Sequence, residues 1–110
     1  MIQKYSSNYV FYPGNGILRF GIIVVDNDIV IDIIDTGGQI KEIASLEFYS
    51  GLIVVGDISM QSFNSLRIEE ASFADFFSNV TISKKSILHL ENLDFFNKRL
   101  QSNTSVRKIL

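Results

Sequence analysis

Short apolar runs, broken at nearly regular intervals by turn-forming residues, fill the first half of the chain. Lys4 to Tyr12 alternates loosely and is rich in Tyr, Ser and Val, which predicts a strand. Pro13-Gly14-Asn15-Gly16 follows as a turn, because Pro fixes φ and Gly accepts positive φ. Ile17 to Val25 reads as the next strand, with Phe20, Ile22 and Val24 on one face and Arg19, Gly21, Ile23 and Val25 on the other. Asp26-Asn27-Asp28 is a tight polar break, so Ile29 to Ile34 should return antiparallel as a hairpin. Ile29, Ile31 and Ile33 share a face with no polar member and are the expected buried set. Val30, Asp32 and Ile34 form the part-exposed one. Thr36-Gly37-Gly38 ends the hairpin, and Gln39 to Ser45 is a connector carrying the charges of Lys41 and Glu42. Ser45 to Ile58 then reads as two short strands hinged at Ser50-Gly51 and stopped at Gly56.

The pattern changes after Ile58. Ile58 to Ser65 is polar and weakly patterned and reads as a loop. Ser72 can cap a short helix with Asp75 three residues on, and Phe73, Phe76, Phe77 and Val80 follow at helical spacing. That stripe could face a partner, but on a capped amphipathic segment it reads first as core. Ser86 to Asp94 returns to strand character, Leu100 to Asn103 turns, and Val106 to Leu110 can form a last strand. The expected fold is mainly β: a small β-sandwich or pseudo-barrel with one short α-helix over Ser72 to Val80. It forms a single domain spanning 1–110, divided into N-terminal strands (1–58), a loop and short helix (59–83) and C-terminal strands (84–110).

Composition narrows the function classes. A chain of 110 residues that is 46% apolar can bury a modest core. Its net charge of −2, with no stripe of Lys and Arg, argues against a nucleic-acid partner. There is no Cys, hence no disulfide, no thiolate nucleophile and no Cys-based zinc site. The apolar runs at Gly21 to Val25 and Gly51 to Gly56 are far shorter than the roughly 20 residues of a membrane span. No apolar leader is visible at Met1 to Tyr5, so the expected location is the cytoplasm, and the sequons at Asn79 and Asn103 read as chance matches.

Three stretches carry a resemblance. Asn8-Tyr9-Val10-Phe11, the acidic turn Asp26-Asn27-Asp28 and Leu46-Glu47-Phe48-Tyr49-Ser50-Gly51 resemble the start of bacterial amidohydrolases, metal-dependent hydrolases built on a TIM barrel. Lys84 to Asp94 and Thr104 to Leu110 resemble the closing segments of the same branch. In those enzymes the two ends meet as a small β-sandwich beside the barrel, the composite domain. The resemblance therefore implies a composite domain without its barrel, covering residues 5–58 and, more loosely, 84–110. It also marks what is missing. Val55-Gly56 stands where the family has Pro-Gly, and Gln61 and Phe63 stand where it has the two metal-binding histidines.

No residue stands out as catalytic, cofactor-binding or metal-ligating, and no cofactor is implied. A catalytic zinc needs about three protein ligands, and the chain has one histidine, His89. His89 could be a general base or a ligand; without an accompanying nucleophile it reads first as a strand histidine at the sheet surface, or one satisfied by a backbone partner. Asp26, Asp28, Asp32 and Asp35 lack the Gly and terminal Glu of an EF-hand loop and read as turn and surface residues. Gly14-Asn15-Gly16 and Thr36-Gly37-Gly38 are turns, not phosphate loops. Phe11, Tyr12, Phe48 and Tyr49 could form a stacking platform, but the charge favours core packing. The expected function is a non-catalytic structural or protein-association module, with a homo-oligomer or another protein as partner and exposed edge strands adding to the attraction. The alternative is a detached subunit of a hydrolase whose barrel is a separate chain. A ligand binder using the space between two sheets ranks behind both, and a remnant without selected activity is the remaining possibility.

Overall fold

The computed structural model describes residues 1–40 and 43–110, so the expectation for Lys41 and Glu42 lies outside the described residues. Seven strands and two helices are described: β1 (Ile2–Tyr12), β2 (Gly16–Arg19), β3 (Ile22–Asp26), β4 (Ile29–Ile34), β5 (Leu46–Val55), α1 (Met60–Ile68), α2 (Phe73–Ser78), β6 (Ile87–Glu91) and β7 (Ser105–Lys108). The strands form one mixed sheet in the order β4-β3-β1-β5-β6-β7, with β2 also paired to β1. β1 and β5 are parallel; the other pairs are antiparallel. The mainly β expectation holds. No helix among the described residues is long and apolar enough to cross a membrane.

The strand lines on either side of β1 are irregular at one level. The expected strand Ile17 to Val25 is two strands, β2 and β3, which keep one register against β1 but are interrupted at Phe20 and Gly21. Phe20 takes a left-handed φ of 55°, and a Cβ on Gly21 would lie 3.0 Å from that of Leu18. Opposite the break, the pairing of β1 with β5 shifts between Ser7 and Tyr9. The extra residue lies at Ser50-Gly51, so the expected hinge between two strands is a bulge inside a single ten-residue strand.

The break changes which side chains share a face. Tyr5 before it and Val10 and Tyr12 after it belong to one cluster, although their spacing is odd. This cluster joins Ile23, Val25 and Val30 of the first half-sheet to Ile53, Val55 and Ile87 of the second. One bent sheet thus encloses a core from two sides, and the fold is sandwich-like without a second separate sheet. A second cluster lies on the other face of the later strands, where Phe11, Leu52, Val54, Leu88 and Leu90 meet Phe63, Phe73 and Phe76 of the helices.

There are two helices where one was expected. Ser72 caps α2 as anticipated, its Oγ accepting from the Asp75 N–H at 3.1 Å. Phe73 and Phe76 are buried and Phe77 stacks on Phe11 with centroids 3.8 Å apart, so the Phe stripe is core. Most of the segment read as a loop is α1. Ser59 caps it through the Ser62 N–H, and it ends in a Schellman turn, with Glu70 N–H to Arg67 C=O, Ala71 N–H to Leu66 C=O and Glu70 at φ 50°. The periodicity missed it because Phe63 is its one buried residue, while Met60 and Ile68 are exposed.

The expected burial of Ile29, Ile31 and Ile33 is reversed in part. Ile29 and Ile31 are exposed, Val30 is buried and Ile33 packs against the core. A bulge at Ile31, where the β3 register shifts, changes the phase so that Val30 and Ile33 both point inward. The same edge is blunted: the Val30 N–H donates to the Lys84 C=O at 2.7 Å and the Ile33 N–H to Asp32 Oδ1 at 2.9 Å. The expected attraction of open edges is therefore weakened at β4.

Gly51 holds the bulge with φ 99°, and a Cβ there would lie 2.5 Å from the Leu90 carbonyl oxygen. Gly51→Ala should lower unfolding stability by about 3 kcal/mol through backbone strain and a steric clash with main chain. Urea denaturation followed by circular dichroism measures this; a loss within the error of the method would mean that the bulge is not set by glycine.

Candidate functional site

His89 was the single sequence candidate with catalytic chemistry, and it sits on β6 opposite Ile53 of β5 and Arg107 of β7. It is buried, not at the sheet surface. Its Nε2 lies 2.6 Å from the Ser50 carbonyl oxygen, an acceptor, so the proton is on Nε2. Nδ1 is then the acceptor for the Arg107 Nε–H at 3.2 Å. Both ring nitrogens are thus in use, with the backbone partner that the sequence reading allowed.

The rest of the cluster serves the same bulge. The Ser7 hydroxyl donates to the Gly51 C=O at 2.8 Å, and Asn8 Oδ1 accepts from the Gly51 N–H at 2.9 Å. Where β5 leaves the ladder, its polar groups are satisfied by side chains of β1 and β6, as buried backbone groups must be. The Ser6 hydroxyl plays the same part on the other side of β1, donating to the Gly21 C=O at 2.7 Å. The Tyr49 ring lies 5.1 Å from the imidazole, the Arg107 guanidinium 5.5 Å from the Tyr49 ring, and the Tyr49 hydroxyl donates to Glu47 Oε2 at 3.0 Å. Burial first, and then that hydrogen bond, raise the Tyr49 phenol above its ordinary value. The Ser7 hydroxyl is committed to a carbonyl and both imidazole nitrogens to hydrogen bonds, and the arrangement is a structural lock on the bulge. Sequence reasoning missed Ser7 and Asn8; polar residues inside an otherwise strand-like run were the available signal.

The remaining candidates fall apart in space or into local roles. Gln61 is exposed on α1 and Phe63 is buried under α2, so the two positions that the resemblance aligns with metal-binding histidines diverge. Asp26 meets the N-terminal ammonium at 3.3 Å and Asp35 Oδ1 accepts from the Gly37 N–H at 2.8 Å. No group of three or more His, Cys, Asp or Glu among the described residues could hold a metal ion. Of the aromatic set, Phe11 lies in the helix-side core, Tyr12 and Tyr49 pack against the enclosed core, and Phe48 is half exposed on the outer face of the sheet. They form no platform. Neither protein-family models, curated proteins nor solved structures match the chain.

Two measurements test the lock. Ser7→Ala should lower stability by about 1–2 kcal/mol and His89→Phe by about 2 kcal/mol, since each leaves a carbonyl of the bulge without its donor. Native-like stability of both variants in urea would refute the role. Because folding raises the Tyr49 phenol, the associated stabilisation is complete below the ordinary phenol range and is lost as pH rises through the raised value. Tyr49→Phe should therefore flatten part of the alkaline fall in melting temperature, and an unchanged pH profile would contradict this.

Proposed function

We propose that the protein is a non-catalytic association module, and that it works through the outer face of the first half-sheet. This face is opposite the enclosed core. Across β4, β3, β1 and β5 its rows run Ile34, Ile22, Ser6, Phe48 and Asp32, Val24, Lys4, Leu46. Phe48 is 51% exposed at the β5 end of its row and Ile34 is exposed at the β4 end, and the exposure of Phe48 carries the reading. The Phe20 ring lies beside it, with centroids 6.3 Å apart.

A second copy of the chain is the occupant best supported by charge. In a two-fold face-to-face packing, residue i meets j while j meets i. Lys4 and Asp32 lie at separate points of one row, so each can meet the other's counterpart across the axis. The amidohydrolase resemblance points the same way, because a composite domain parted from its barrel has a bare side. The commitment of both His89 nitrogens, the exposure of Gln61 and the burial of Phe63 support a role without catalysis. A cytoplasmic, bacterial setting belongs to the same reading.

Light scattering behind a sizing column should give a dimer mass, and Phe48→Asp should give a monomer with an unchanged circular dichroism spectrum. A wild-type monomer would overturn self-association. A monomer that co-purifies with a separate barrel chain would favour the detached-subunit alternative.

A further inference from the structure

We propose that a cleft on the helix side of the protein, beside the stacked rings of Tyr9 and Phe95, binds a compact aromatic monoanion such as an aryl carboxylate. The cleft has two adjoining lobes of about 300 Å³ each, which share Tyr9 and Phe95. Each reaches the lower end of the size range of small-molecule sites. Leu52 and Phe73 line one lobe, which is mainly apolar, so an aromatic body finds rings and aliphatic carbon there.

The polar groups give the ligand its sign. Lys98 lines the apolar lobe and Arg19 the other, and no carboxylate among the described residues lines either. The chain as a whole carries a net charge of −2, so a concave surface with two cations and no acid departs from the average of the molecule. Neither cation is in an ion pair among the described residues. Arg19 is the direct cross-strand partner of Tyr9, and side chains of such a pair leave the same face of a sheet.

The cleft is also held in shape before any ligand arrives. Phe95 stacks on Tyr9 with centroids 4.5 Å apart and meets Phe73 edge-on at 5.6 Å. Asp94 and Arg99 exchange backbone hydrogen bonds of 3.1 Å in both directions across a four-residue turn. Within it Asp94 Oδ1 accepts from the Asn97 N–H at 3.0 Å and Oδ2 from Asn97 Nδ2 at 2.8 Å. Those bonds hold the Asp94 carboxyl below its ordinary value and engage both of its oxygens inside the turn. Lys98 sits at φ 54°, and its carbonyl accepts from the Phe73 N–H at 2.8 Å, which ties the main chain of the turn to the start of α2. Preorganisation of this kind reduces the ordering cost of binding.

The test uses 1-anilinonaphthalene-8-sulfonate, an aromatic monoanion, and its uncharged parent N-phenyl-1-naphthylamine, both read by fluorescence on the intact chain. The sulfonate should bind saturably with one site per chain, and methyl resonances of Ile17 and Leu52 should shift on titration. Lys98→Gln and Arg19→Gln together should weaken the sulfonate by about tenfold, as loss of roughly 1.4 kcal/mol does. The same pair should leave the neutral parent within about twofold. An unchanged melting temperature would show that the variant retains its fold. Non-saturable binding, shifts confined to the outer face near Phe48, or equal loss of both probes in the folded variant would each overturn the proposal.

Discussion

Backbone polar groups released at the Ser50-Gly51 bulge have to be satisfied inside the protein, and this requirement organises the sheet. Three side chains meet it from two neighbouring strands: Ser7 and Asn8 on β1, and His89 on β6. The bulge coincides with the Phe20-Gly21 interruption on the far side of β1, where Ser6 and the Asn8 carbonyl take up the freed groups. A break in one strand would be a local defect. Irregularities aligned in β5 and in the β2–β3 line, on either side of β1, let the sheet turn on itself and change the phase of β1, so that Tyr5 and Val10 serve the same core.

Everything outside that core follows from where the bend leaves apolar surface. The later half-sheet has a second face, and α1 and α2 close it with Phe63, Phe73 and Phe76. The first half-sheet has no described helix on its outer face, and Phe48 and Ile34 stay exposed there. β4 could have offered another route to association, but its bulge and the bonds from Val30 and Ile33 occupy part of the edge. The proposed self-association is therefore assigned to the face and not to this edge.

The proposed association face and the proposed ligand cleft belong to different parts of this plan. One is the outer side of the early strands; the other opens where Tyr9, after the bend, meets the turn that carries Phe95 and Lys98. His89, the single histidine, serves neither: its hydrogen bonds hold the Ser50-Gly51 bulge to β6 and β7.

The sequence by itself determined the mainly β character, the hairpin turn at Asp26 to Asp28 and the capped Phe helix. Each is written locally, in turn chemistry, in a Ser cap and in helical spacing of Phe73, Phe76 and Phe77. It also limited the chemistry, because one histidine and no cysteine leave few ligand sets. Tertiary structure decided what local pattern cannot encode. Bulges at Gly51 and Ile31 shift the two-residue alternation, so the faces read from Ile29, Ile31 and Ile33 did not persist. Helix α1 forms on a cap, a Schellman turn and one buried Phe, too little for a periodic signal. The contact of Tyr9 with Phe95, and that of His89 with Ser50, join residues far apart in the chain; only the bend and the strand order bring them together.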